Sequence, residues 1–179
     1  MIHELIISGF GGQGVMSLGM LLAYAGVAEG HEVSWLPSYG PEMRGGTANC
    51  HVVLSDEPIG SPLVAEASCV IAMNEPSFDK YESSVAAGGI FIINSSIINK
   101  RANRSDIDYY YVPCNDIAVR LGNPRVANMV MLGAFIELTK AVSFESIINA
   151  IPEVLGPGKE KLIQINEEAL NAGAKEVKR

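Results

Sequence analysis

Four glycines in six residues, Gly9-Phe10-Gly11-Gly12-Gln13-Gly14, separate two apolar stretches and restrict the fold more than any other segment. Upstream, Glu4 to Ser8 reads as a short buried strand. Downstream, about Gly14 to Glu29 reads as a helix that is apolar almost all round and so buried on more than one side. Gly30 is a fitting stop for it. A strand, a glycine turn and a helix in that order make the opening unit of an α/β sheet. Glycines permit the tight turn and let the backbone approach an anion closely, and a helix N-terminus favours negative charge. Gly9, Gly11 and Gly14 fit G-x-G-x-x-G. Dinucleotide binding also needs an acid at the end of the second strand, and that strand closes on Leu36-Pro37-Ser38. Two readings of the turn therefore stand: an anion contact, or close helix–strand packing alone.

The second unusual segment runs from Ser38 to Asn49, Ser-Tyr-Gly-Pro-Glu-Met-Arg-Gly-Gly-Thr-Ala-Asn. Proline fixes one torsion and glycine reaches conformations closed to other residues, so this segment specifies one backbone path. Arg44 beside Gly45 and Gly46 can present a planar guanidinium next to open backbone amides, which suits a phosphate or a carboxylate. If Gly45 or Gly46 needs a positive φ, valine there adds about 1–3 kcal/mol of strain.

Further along, strands are expected over Glu32 to Leu36, Thr47 to Leu54, Cys69 to Met73, Ile90 to Asn94 and Asp108 to Val112. Ser61 to Glu66 reads as a helix start or an extended link. Helices are expected from Pro76 to about Ala86 with Gly88-Gly89 as the stop, from Asn115 to Leu121, from Asn123-Pro124 to Lys140 as the longest of the C-terminal set, from Ser143 to Ile151, and from Pro157 to Leu170, with a frayed tail from Ala174. This pattern predicts one domain, residues 1–179, with a three-layer α/β/α architecture. Its sheet is Rossmann-like and largely parallel, and the closing helices form an appendage.

Composition narrows the function. Charged residues make up only 18% of the chain, against about 25% in ordinary soluble domains. A wide buried sheet or surface buried against other subunits would account for the deficit, and self-association of the isolated chain is expected. The formal charge is −7, and Lys100-Arg101-Ala102-Asn103-Arg104 has no interleaved aromatics, so it reads as a solvated turn and no nucleic-acid partner is expected. Cys50, Cys69 and Cys114 make no metal or cluster motif and read as buried thiols of a cytoplasmic protein. Neither a signal peptide nor a membrane span is expected. His3 and His31 read as surface residues, Met129-Val130-Met131 as core, and Tyr109-Tyr110-Tyr111 as a packed strand. Asn128, an amide on an apolar helix, needs defined partners. No catalytic set is present in the sequence.

Together with Ser55-Asp56-Glu57-Pro58-Ile59 and Asn128-Met129-Val130-Met131-Leu132-Gly133, the two glycine segments resemble the gamma subunit of 2-oxoacid:ferredoxin oxidoreductases over nearly the whole chain. The likeness is strongest to the 2-oxoglutarate type, with the 2-oxoisovalerate type as the alternative. The resemblance implies a subunit without a complete active site, in an enzyme that oxidatively decarboxylates a 2-oxoacid to an acyl-coenzyme A. It implies alpha and beta partners, with delta as a further candidate, and ferredoxin or a similar acceptor. Thiamine diphosphate, magnesium and iron–sulfur clusters would belong to partner subunits. Coenzyme A becomes the natural anion for the loops, with Gly9, Gly11, Gly12, Gln13, Gly14, Tyr39, Arg44, Gly45, Gly46 and Asn128 as candidate contacts. A purely architectural subunit and a stand-alone nucleotide-binding oxidoreductase are the competing readings.

Overall fold

The computed structural model describes residues 1–38 and 48–178. Six strands form one sheet in the order β2-β3-β1-β4-β5-β6: β1 Ile2–Gly9, β2 Glu32–Ser38, β3 Ala48–Ser55, β4 Ala67–Ala72, β5 Val85–Asn94 and β6 Asp108–Val112. β1, β4, β5 and β6 run parallel. β3 is antiparallel to both β1 and β2, so the sheet is mostly parallel with one reversed strand. Strands and helices do not alternate throughout, since among the described residues no helix separates β3 from β4.

The helices are α1 Val15–Ala28, α2 Glu75–Tyr81, α3 Cys114–Arg120, α4 Ala127–Thr139, α5 Phe144–Leu155 and α6 Ile163–Val177. Strand side chains alternate between faces. Leu5, Ile7, Val52, Leu54, Ile71, Ile92 and Val112 pack into one core with α1 and α3 to α6. Ile6, Val53, Val70, Phe91 and Ile93 pack on the other face with Phe78 and Tyr81 of α2. The tyrosines of β6 obey the same rule, Tyr110 joining the first core and Tyr109 and Tyr111 the second.

The closing helices are not an appendage. Every residue from Ala127 to Ile136 is buried, because α4 lies in the first core with α6 across it. The two helices touch backbone to backbone: a Cβ on Gly133 would strike the Leu170 carbonyl, and one on Gly173 the Val130 carbonyl. Small residues at a crossing allow this approach. The tail is likewise helical to Val177, which packs in that core. α6, of 15 residues, is longer than α4, of 13. It starts at Ile163 rather than Pro157 because Gly156 and Gly158 take φ of 82° and 81°, and residues 160–162 form only a 3-10 turn.

Two other boundaries move. α2 stops at Tyr81, and β5 runs through Gly88-Gly89 instead of starting after it. Gly88 takes φ 76° and donates its N–H to the Asp106 carbonyl at 2.7 Å, while the ladder shifts register between Ala67 and Cys69. Pro113, not Asn115, caps α3; the Asn115 side chain instead accepts Asn94 Nδ2 at 2.7 Å. Ser61 to Glu66 holds no helix. Ser143 caps α5 as expected, accepting the Ser146 N–H.

Candidate functional site

The glycine turn leaves the carboxyl end of β1, where the sheet order reverses: β3 lies on one side of β1 and β4 on the other. Open α/β sheets hold ligands at such switch points. Ser38 pairs with Asn49 and Ala48 with Gly9, so both flanks of the 39–47 stretch end at this edge. Tyr39, Arg44, Gly45 and Gly46 themselves lie outside the described residues.

Each glycine of the turn has its own reason. A Cβ on Gly9 would sit 2.7 Å from both Gln13 Oε1 and Met73 Cβ. Gly14, the N-cap of α1, takes φ 75° and ψ 22°, and its missing Cβ leaves room for the Asn128 side chain. Gly12 takes φ 88°. Gly11 has no such constraint: its φ lies outside the left-handed range and nothing lies within 4 Å of where a Cβ would stand. Gly11 and Gly12 both face open space.

Two side chains brace the turn from inside. Gln13 Oε1 accepts the Phe10 N–H at 2.6 Å, and its Nε2 donates to the Met73 carbonyl at 3.1 Å. Asn128 Nδ2 donates to the Gly14 carbonyl at 3.2 Å, and Oδ1 accepts the Met129 N–H at 2.9 Å. These are the defined partners a buried amide needs. The helix they support has no side-chain cap and no acid in its first turn. Its leading N–H groups are therefore available to an anion.

Beside the turn lies a groove of about 480 Å³, lined by Gly12, Gly14, Ser17 and Asn128 and also by Arg125 and Lys159. A second hollow, with Phe10, Gly11, Met16 and Ala48, shares Gly12, Gly14 and Ser17 with it. Arg125 and Lys159 were not singled out in the sequence. The usable signal was an arginine just after Asn123-Pro124, where the apolar α4 begins; Asn123 caps that start by accepting the Arg125 N–H at 3.0 Å.

The other candidates are structural. All three cysteines are buried and free, and burial pushes the Cys50 and Cys114 thiols up to about 12. The two histidines read as surface residues are tied down: His3 packs edge-on to Phe135, and His31 Nδ1 lies 2.9 Å from Asp56 Oδ1. His51 Nδ1 accepts the Val64 N–H at 3.0 Å. In the basic loop Arg104 is no free surface cation, since it forks onto Asp106 and donates to the Glu82 and Val85 carbonyls. Among the described residues no group of three or more His, Cys, Asp or Glu could hold a metal ion, and no helix is long and apolar enough to cross a membrane.

The chain is thus a mostly parallel α/β sheet with a glycine turn at its switch point and no side-chain cap on the helix that follows. The family described as pyruvate ferredoxin/flavodoxin oxidoreductase matches residues 4–176, and the chain belongs to that family. Ketoisovalerate oxidoreductase subunit VorA of Methanothermobacter thermautotrophicus is 43% identical over 94% of this chain and 35% of its own length. This chain thus spans about a third of the VorA relatives it matches. 2-Oxoglutarate synthase subunit KorC of Methanocaldococcus jannaschii is 36% identical over 90% of this chain and 88% of its own. A keto/oxoacid ferredoxin oxidoreductase gamma subunit from Geobacter sulfurreducens superposes with TM-score 0.83 at 27% identity, over 97% of both chains. A 2-oxoglutarate:ferredoxin oxidoreductase from Magnetococcus marinus, described with 2-oxoglutarate, coenzyme A and succinyl-CoA bound, shares the fold at TM-score 0.87 and 24% identity, over 99% of this chain and 32% of that one.

Proposed function

We propose that this chain is the gamma-type subunit of a cytoplasmic 2-oxoacid:acceptor oxidoreductase and supplies the coenzyme A side of the cleft together with subunit interface. The observation that carries the reading is the glycine turn: Gly11 and Gly12 face open space at the switch point, in front of an uncapped helix. Coenzyme A, when bound, supplies the thiol that accepts the acyl group. The residues present suit its anionic part. Backbone N–H groups around Gly12 to Ser17 offer donors, and Gln13 and Asn128 keep the turn in place; on sequence alone, Arg44 beside Gly45 and Gly46 is assigned as the cation. Alpha and beta subunits, with ferredoxin or a similar acceptor, complete the enzyme, and the partner subunits carry thiamine diphosphate, magnesium and the iron–sulfur clusters.

The substrate is a 2-oxoacid. 2-Oxoglutarate is favoured by KorC, whose length this chain nearly fills, and 2-oxoisovalerate by VorA, the more similar sequence. Purifying the native complex through this chain and screening 2-oxoacids tests the assignment. Coenzyme A-dependent oxidation with 2-oxoglutarate the best substrate is expected. Copurification of no such activity would overturn the subunit reading, and a preference for 2-oxoisovalerate would overturn the 2-oxoglutarate one. Arg44→Ala should raise the coenzyme A requirement or loosen assembly; a complex with normal turnover and assembly would remove Arg44 from the site.

A further inference from the structure

We propose that the groove behind the glycine turn is itself a binding site, specific for an organic phosphate with an apolar body. Three elements that are distant in sequence build it: the start of α1, the start of α4 and the α5–α6 connection. Its volume, about 480 Å³, lies in the range of roughly 300–1,000 Å³ that holds small ligands.

Charge decides the class. The chain carries 20 acids against 13 bases, yet among the described residues no acid lines this groove and two bases, Arg125 and Lys159, do. Both are exposed, and no acid neutralises either among the described residues. Lys100, Arg104 and Lys140 each hold an acid partner. Arg125 also lines the small hollow against Gly12 and Gln13, so Arg125 and Gly12 border a second common space. Lys159 stands on the turn set by Gly156 and Gly158.

The rest of the lining fixes the body of the ligand. Leu21, Ile151, Leu155 and Leu162 form an apolar wall. Inorganic phosphate would leave that wall wet, whereas an ester with an aromatic or aliphatic body would cover it and gain by apolar burial. Arg125 and Lys159 take the phosphates and the leucines take the body. This inference rests on the coenzyme A reading only through the shared Gly12: if both hold, the groove seats the phosphorylated end of the carrier.

The test uses the full chain, isotope-labelled and titrated with inorganic pyrophosphate, ADP and coenzyme A while amide resonances are followed. Saturable shifts at Gly12, Ser17, Leu155 and Lys159 are expected with both esters, and pyrophosphate should bind at least about tenfold more weakly. Arg125→Gln with Lys159→Gln should weaken the esters by about tenfold or more, the loss expected for charge-assisted contacts, without lowering the melting temperature. No saturable shift with either ester, shifts elsewhere, or affinity indifferent to the double substitution would overturn the site. Pyrophosphate binding as tightly as ADP would overturn its class. If ADP binds here while Arg125→Gln leaves the coenzyme A KM of the assembled complex unchanged, the groove stands and the carrier reading of it falls. If neither ester binds the chain while Gly11→Ala raises that KM, the groove falls and the carrier reading of the turn stands.

Discussion

Replacing Gly14 by alanine tests how the turn is held. Two costs add. An L-residue at φ 75° and ψ 22° pays for the left-handed conformation, about 1–2 kcal/mol. The new Cβ would also lie 2.7 Å from Asn128 Cγ, so the amide must move, and overpacking of this kind costs about 1–3 kcal/mol. The sum is about 2–5 kcal/mol. Asn128→Ala removes the Cγ and amide obstacle but not the backbone strain, and leaves only its own Cβ at 3.0 Å, so Gly14→Ala in that background should cost only about 1–2 kcal/mol. Urea unfolding of wild type, both single variants and the double variant gives the coupling directly. We expect about 1–3 kcal/mol. Equal costs in the two backgrounds would refute the claim that Asn128 occupies the place of the missing side chain.

Gly133→Ala should cost about 3 kcal/mol or more, because backbone of α6 fills the space beside it; the melting temperature should fall by roughly 6–12 °C, and a drop under 2 °C by the same scale would contradict that contact. Stability should decline as pH drops below 6.5, because burial, the largest cause, holds both His3 and His51 under that ordinary value, so the unfolded chain binds more protons there. The sign follows: their contribution is complete above 6.5 and is lost towards the folded values. His51→Gln should flatten the slope of unfolding free energy between pH 7 and 5, and an unchanged slope would clear His51. Below that range Glu29 and Asp106 add to the loss. Hydrogen bonds from Ser143 and Ser146 hold Glu29 low against the burial that raises it, and Arg104 holds Asp106 low.

The sheet was legible because its buried strands are short apolar runs with clear edges, and the glycine turn because its residues need conformations that few others reach. Ser143 and the tyrosines of β6 followed from local rules for caps and alternation. Apart from the start of α6, which the local turn at Gly156 and Gly158 sets, the failures depend on contacts distant in sequence. Gly88 reads locally as a helix stop, but its hydrogen bond to Asp106 keeps it inside β5. The closing helices read as an appendage because Gly133 and Gly173, which let α4 and α6 meet, are 40 residues apart in sequence. Arg125 and Lys159 escaped notice for the same reason, as only folding brings them to Gly12. Asn128 was legible as a residue needing partners, but not as the brace under Gly14.

The central claim is that the open face of the glycine turn meets coenzyme A. Gly11→Ala is the direct probe, since no neighbour within 4 Å and no left-handed φ opposes a Cβ there, and folding stability should stay within about 0.5 kcal/mol. In the assembled complex, the KM for coenzyme A should rise by about tenfold with kcat at saturation retained, as for a lost contact of about 1.4 kcal/mol. An unchanged KM in a complex of normal composition would contradict the claim.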